Sequence, residues 1–150
     1  MADGIARLGF DRDLRDGKAA EDAFVHLYLQ ARVEVKADEV ACRTRRLFVE
    51  YRQQSRLTDE WVPSGIAITE AHSWAFLLVG PGIWIHVPVD RLRAVFMKTW
   101  RERPDLRKLG GDYDRFKGVA VPVEDLLWAE LSEDELRAAA RGGRWFGEVF

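Results

Sequence analysis

The chain has 150 residues, of which 47% are hydrophobic and 32% charged. That length suits one domain with one core, and that composition excludes a disordered chain or a coiled coil. The net charge of −2 excludes a molecule that is basic overall, so any nucleic acid would be met by a local patch.

The longest apolar stretch, Trp74 to Val89, is interrupted by Gly80-Pro81-Gly82 and His86 and is too short to span a bilayer, so no membrane partner is expected. Met1-Ala2-Asp3-Gly4 lacks the basic and apolar regions of a secretory signal, and Cys42 has no second cysteine to pair with. A cytoplasmic location is expected on these grounds.

In chain order, Asp13 to Tyr28 is predicted to be a helix, because Ala20, Phe24, Leu27 and Tyr28 form one apolar stripe. Arg32 to Asp38 is predicted to be a strand in which Val33, Val35 and Ala37 alternate with Glu34, Lys36 and Asp38. The valine face is expected to pack into a core and the charged face to line a surface or cleft. Leu47 to Arg52 is a second predicted strand, and polar Gln53 to Pro63 is a predicted loop. Thr69-Glu70-Ala71 suggests a short helical turn capped by Thr69. Trp74 to Val79 and Ile83 to Val87 suggest two strands joined through Gly80-Pro81-Gly82.

Val89 to Arg103 is predicted to be a helix ended by Pro104. Gly110-Gly111-Asp112 is a predicted loop, and Val119 to Val121 a short edge strand. Ser132-Glu133-Asp134-Glu135 matches a capping box opening a last helix that runs to about Arg141. The sum is an α/β fold: an N-terminal helix, a central four- to five-stranded mixed sheet and C-terminal helices.

Glu34-x-Lys36 is the chemically informative pair. A carboxylate can hold a hard cation such as Mg²⁺, which bridges to phosphate. A lysine two residues along, on the same strand face, can orient water or offset transition-state charge in phosphodiester hydrolysis. An exposed strand face with a cross-strand ion pair explains the same residues without chemistry. Glu21, one position off the helix stripe, could border the site or be a solvated carboxylate. Glu50 could join it if Asp38 and Leu47 flank a hairpin, with register deciding whether Glu50 shares the face of Lys36.

Arg43, Arg45 and Arg46 form one basic cluster. Arg91, Arg93, Lys98, Arg101, Arg103, Arg107 and Lys108 form a looser one. Either suits phosphates or a solvated face. Trp61, in the predicted loop, suits either base stacking or loop anchoring.

Four blocks in order carry a resemblance: Phe10-Asp11-x-Asp13-Leu14-x-x-Gly17-x-x-x-Glu21, Val33-Glu34-Val35-Lys36-x-Asp38, Leu47-Phe48-Val49-Glu50-Tyr51, and Ser64-Gly65-Ile66-x-x-Thr69-x-Ala71-x-x-Trp74. Together the chain resembles phage and prophage proteins of the PD-(D/E)xK nuclease superfamily, which includes Holliday junction resolvases and restriction enzymes. The resemblance implies a restriction-endonuclease-like domain over residues 1–150 and a DNA endonuclease or resolvase-like activity. It implies Glu34, Lys36 and Glu21 as catalytic residues. It implies Mg²⁺ or Mn²⁺ held by Glu34, Glu21, Asp38 and Glu50. It also implies DNA, including branched DNA, contacted by Arg43, Arg45, Arg46, Ser64 and Thr69. A homodimer would suit a symmetric junction.

The chain departs from the pattern in three places. No strand fits between Glu21 and Glu34 to carry the aspartate of the "PD" element. Thr44-Arg45-Arg46 stands where such phage proteins have Thr-Gly-Asn, and Ala71-His72 where they have Ala-Asp. A nuclease-fold module without catalysis, binding nucleic acid or a protein, is the alternative expectation.

Overall fold

Among the described residues seven strands form two sheets in which the sequence pattern suggested one. The computed structural model describes residues 17–23, 25 and 32–142, and divides into two compact units, Met1–Arg32 and Val33–Phe150. In the first unit residues 17–23 are helical and exposed. The rest of the helix expected over Asp13 to Tyr28, residue 25 apart, lies outside the described residues.

The second unit is α/β. One sheet is mixed and has the order β1-β4-β5, from β1 (Val33–Asp38), β4 (Ser73–Leu78) and β5 (Ile83–Pro88). The other is antiparallel with the order β3-β2-β7-β6, from β3 (Trp61–Pro63), β2 (Arg46–Gln54), β7 (Phe116–Pro122) and β6 (Arg107–Gly110). The helices are α1 (Ala41–Thr44), α2 (Val89–Glu102), α3 (Val123–Trp128) and α4 (Glu133–Ala140).

β1 and β2 are not a hairpin. β1 runs parallel to β4 with Glu34 opposite Trp74 and Lys36 opposite Phe76, whereas β2 pairs with β3 and β7. The short helix α1 separates them. The Asp38 carboxylate accepts the backbone N–H groups of Val40 (2.8 Å) and Ala41 (2.7 Å), which starts the turn. Arg45, left-handed at φ 55°, ends it and aims the chain into β2.

Three other expectations change. The region predicted as loop over Gln53 to Pro63 contains the end of β2 and all of β3. Val119 to Val121 belongs to β7, an inner strand between β2 and β6. The 3-10 turn lies at Gly65–Ala67, before Thr69.

The core is built from alternate residues of both sheets. Leu47, Val49, Val119 and Val121 come from the antiparallel sheet and Trp74 and Phe76 from the mixed one. Helix α2 adds Leu92, Val95 and Phe96. Tyr51 meets Phe96 and Trp100 edge-on, with ring centroids 5.8 and 5.1 Å apart. Asp90 in the first turn of α2 and Arg101 in the last suit the helix dipole. The capping box of α4 forms: Ser132 Oγ accepts from Glu135 N–H, and Glu135 Oε2 accepts from Ser132 N–H.

The alternation in β1 is present, with the packing reversed from expectation. Val35 is 60% exposed, and Glu34, Lys36 and Asp38 occupy the half-buried face.

Gly118 lies beneath the Phe48 ring. A Cβ there would overlap the ring and approach Val49 O to 2.7 Å, so both a side chain and a backbone atom would have to yield. Gly118→Ala is expected to lower stability by about 1–3 kcal/mol, measured by urea unfolding against wild type.

Candidate active site

Glu34 and Lys36 leave β1 on one face because they are two residues apart. Lys36 Nζ lies 2.8 Å from Glu34 Oε1. The other oxygen of the same carboxylate, Oε2, accepts a 2.8 Å hydrogen bond from the Thr69 hydroxyl. Thr69 Oγ1 in turn accepts from the indole N–H of Trp74 (3.3 Å) and the backbone N–H of Ala71 (3.2 Å). The buried Trp74 ring is also a platform for Lys36, whose Nζ sits 5.1 Å from the ring centroid. Glu34 is thus oriented at both oxygens.

Glu50 arrives from β2, in the other sheet, and is near enough to feel both charges. Burial pushes its carboxyl above the ordinary value of 4.5; Lys36 opposes that shift and Glu34 adds to it. Three charged groups from two strands that share no backbone hydrogen bonds are thus close enough to interact electrostatically.

The segment behind Glu50 is tightly fitted. Ser64 N–H donates to Tyr51 O at 2.9 Å. Ser64 Oγ is buried, with the residue 3% exposed, and has no well-formed hydrogen-bond partner. The hydroxyl faces the Glu50 carboxylate closely enough to favour its ionised form without completing good hydrogen-bond geometry. Gly65 follows at φ 49°, and a Cβ there would overlap Glu50 Cγ and the Glu50 carbonyl.

The loop that carries Ser64 through Thr69 is held from below by α2. Arg93, 7% exposed, donates to Ile66 O (3.3 Å) and Thr69 O (3.0 Å). Burial lowers its pKa and Asp90 opposes that. Sequence reasoning placed Arg93 in a surface cluster. Its signal was only its position on the same helix turn as buried Leu92 and Ala94.

The remaining expected site residues are placed as follows. Asp38 points its carboxylate at backbone N–H groups, including Phe48 N–H at 3.5 Å. It shapes the β1–α1 turn through those hydrogen bonds. Glu21 lies in the first unit and is exposed. Arg43, Arg45 and Arg46 are exposed on α1 and the start of β2. Arg46 stands four residues before Glu50, about 13 Å along the strand, and faces Asp105. The three arginines are not gathered around Glu34.

The looser basic cluster is largely engaged within the protein. Arg91 donates to Leu126 O and Ala129 O, and Arg107 to Trp100 O. Arg101 pairs with Glu135 and Arg103 with Asp105.

Among the described residues no three His, Cys, Asp or Glu side chains come together as a metal cage. Two carboxylates do converge, and a hard cation commonly takes one or two carboxylates and completes its shell with water and phosphate. The orphaned Ser64 hydroxyl beside Glu50 adds a third oxygen. The residues fit a cation of the Mg²⁺ type and lack the soft ligands of a zinc site.

No protein-family model, curated protein or solved structure matches the chain. What the fold and site define is an α/β protein with one mixed and one antiparallel sheet and flanking helices. Among the described residues no helix is long and apolar enough to cross a membrane.

Two outcomes follow. Arg93→Met leaves the Ile66 and Thr69 carbonyls short of a donor and should cost about 2–3 kcal/mol, read from denaturant unfolding. Glu50 has a raised folded pKa, so the stability its protonated form contributes is complete below about pH 4.5 and lost as pH rises through the folded pKa. Glu50→Gln should therefore melt higher than wild type at neutral pH, with the difference vanishing below about pH 4.5.

Proposed function

We propose that this chain is a divalent-metal-dependent deoxyribonuclease of the restriction-endonuclease-like class, working in a cytoplasmic setting. The reading is supported by the Glu34–Lys36 pair together with a second carboxylate, Glu50 of the other sheet, near enough to feel both charges. Glu34 and Glu50 would hold Mg²⁺ or Mn²⁺. Such a cation supplies positive charge to phosphate oxygens and acidifies a water molecule.

The protein's own groups do the rest. Thr69 and Trp74 fix the rotamer of Glu34. Lys36 now spends its charge on Glu34. With a cation sharing that carboxylate, the ammonium is free to turn toward a phosphate oxygen, where its charge is worth most as the transition state forms. Partial burial beside Ser64 weakens the screening of Glu50 by water. Two copies acting together would suit a branched, symmetric DNA, which needs two cuts.

A second reading has its own support. The Glu34–Lys36 pair is self-satisfied, and no third carboxylate joins among the described residues. A nuclease-fold module that binds nucleic acid or a protein without cutting is consistent with that.

Calorimetric titration with Mn²⁺ and Mg²⁺ on wild type and Glu34→Ala, followed by cleavage of linear and branched DNA, separates the two. The hydrolytic reading expects saturable binding lost in Glu34→Ala. It also expects cleavage reduced by about 10²–10³-fold in Lys36→Met. Cleavage by Glu34→Ala at the wild-type rate would end that reading. DNA binding indifferent to metal and to Glu34 would select the non-catalytic module.

A further inference from the structure

A concave surface lies further along β2. It encloses about 700 Å³ between the β2–β3 loop and the turn before β7. Its rim carries Leu57 and Tyr113, 95% and 93% exposed, and its wall includes Phe116. Tyr113 has φ 62° and the next residue, Asp114, φ 54°. Two successive non-glycine residues in the left-handed region cost backbone energy. A side chain that is almost wholly exposed recovers none of that by packing.

Arg56 and Arg115 also line the groove, and neither is paired with a carboxylate among the described residues. One acid, Asp112, shares the lining. Next along β7 from Phe116, Lys117 stacks its ammonium 4.2 Å from the Trp61 ring centroid. The groove lining therefore has a free aromatic face and two guanidinium groups against one carboxylate.

We propose that this groove holds an unpaired nucleotide of the strand that the Glu34–Glu50 site cuts, its base on Tyr113 and its phosphates on Arg56 and Arg115. The proposal rests on the hydrolytic reading for its connection to that site. It assigns the substrate class: single-stranded DNA or DNA with an unpaired arm. The volume is that of a small-ligand site and exceeds what one base fills. Stacking on an exposed aromatic, with arginine at the backbone, is how unpaired strands are held without sequence preference. A duplex keeps its bases stacked inside and offers the tyrosine no free face.

The spacing is also informative. Gln53, where the groove begins, is three residues beyond Glu50, about 10 Å along a strand. A strand with stacked bases advances about 3.4 Å per nucleotide. The near edge of the groove, at Gln53, therefore lies within a few nucleotides' reach of Glu50 along the strand.

The test is fluorescence anisotropy in EDTA, where no cleavage occurs, with a short labelled single strand and its blunt duplex. Wild type, Tyr113→Ala, Tyr113→Phe and Arg115→Ala are compared after circular dichroism confirms their folding. The single strand should bind wild type more tightly than the duplex. Tyr113→Ala should weaken that binding about tenfold while Tyr113→Phe retains it. Equal binding by Tyr113→Ala and wild type overturns the assignment, as does equal affinity for strand and duplex. No binding to any nucleic acid overturns it too, and leaves the groove to a peptide.

Cleavage by the same proteins with Mg²⁺ keeps the two readings apart. Cleavage that needs Glu34 but ignores Tyr113 retains the hydrolytic site and removes the groove. Strand binding through Tyr113 without any cleavage retains the groove as a binding surface and removes the hydrolytic site.

Discussion

One buried guanidinium holds the site together. Arg93 reaches out of α2 to the carbonyls of Ile66 and Thr69, and those two bonds set the path of the Ser64–Thr69 loop. Removing a guanidinium from water is costly, and only well-placed acceptors offset it. With Asp90 opposing the loss of charge, the arrangement keeps Arg93 ionised at a position where a neutral side chain would fill space but bind nothing. From this loop follow the Thr69 hydroxyl on Glu34, the indole on Thr69 and the close fit of Gly65 against Glu50. The core supports the same loop from the other side through Ile66, which is fully buried.

The charge arrangement depends on that framework. Glu34 and Lys36 lie on one strand and would form an ordinary surface pair, of small energy, if solvent reached them freely. Glu50 changes the situation because it comes from the second sheet and is itself half-buried. Its raised pKa records a carboxylate that burial and a like-charged neighbour make reluctant to ionise, with Lys36 and, less strongly, the Ser64 hydroxyl in opposition. A site with two carboxylates and one ammonium carries a net negative charge. A divalent cation is the species best able to relieve the repulsion between Glu34 and Glu50.

Periodicity made Glu34, Lys36 and Asp38 legible as one strand face, and the apolar runs marked β4, β5 and α2. Periodicity does not say which face is covered. In β1 the covered face is the charged one, because β4 brings Trp74 and Phe76 to it in parallel register. The expected hairpin failed for a local reason: Asp38 uses its carboxylate to start α1, a role for which a short polar stretch gives no distinct signal. The basic cluster on and after α2 was misread for another reason. Its partners are mostly backbone carbonyls, and a carbonyl has no letter in a sequence. β6, with the sequence Arg107-Lys108-Leu109-Gly110, is too short and too charged to show alternation. Glu50 was reached through a hairpin that does not exist, yet it lies by Lys36 because the two sheets meet there.

Ser64 and Gly65 show how the backbone determines where Glu50 can go. A buried hydroxyl without a partner costs about 1–3 kcal/mol, and native proteins keep few of them. A residue with no hydroxyl at position 64 would avoid the cost, so the fold alone does not call for serine there. Gly65 is constrained more severely: its positive φ and its contact with Glu50 exclude any other side chain without movement of the strand. Together they form a wall behind the carboxylate. A side chain at position 65 would displace Glu50, whose carboxylate is close enough to Lys36 and Glu34 to interact with both charges. Glycine there leaves room for a half-buried acid beside another acid, an arrangement that stability by itself would disfavour.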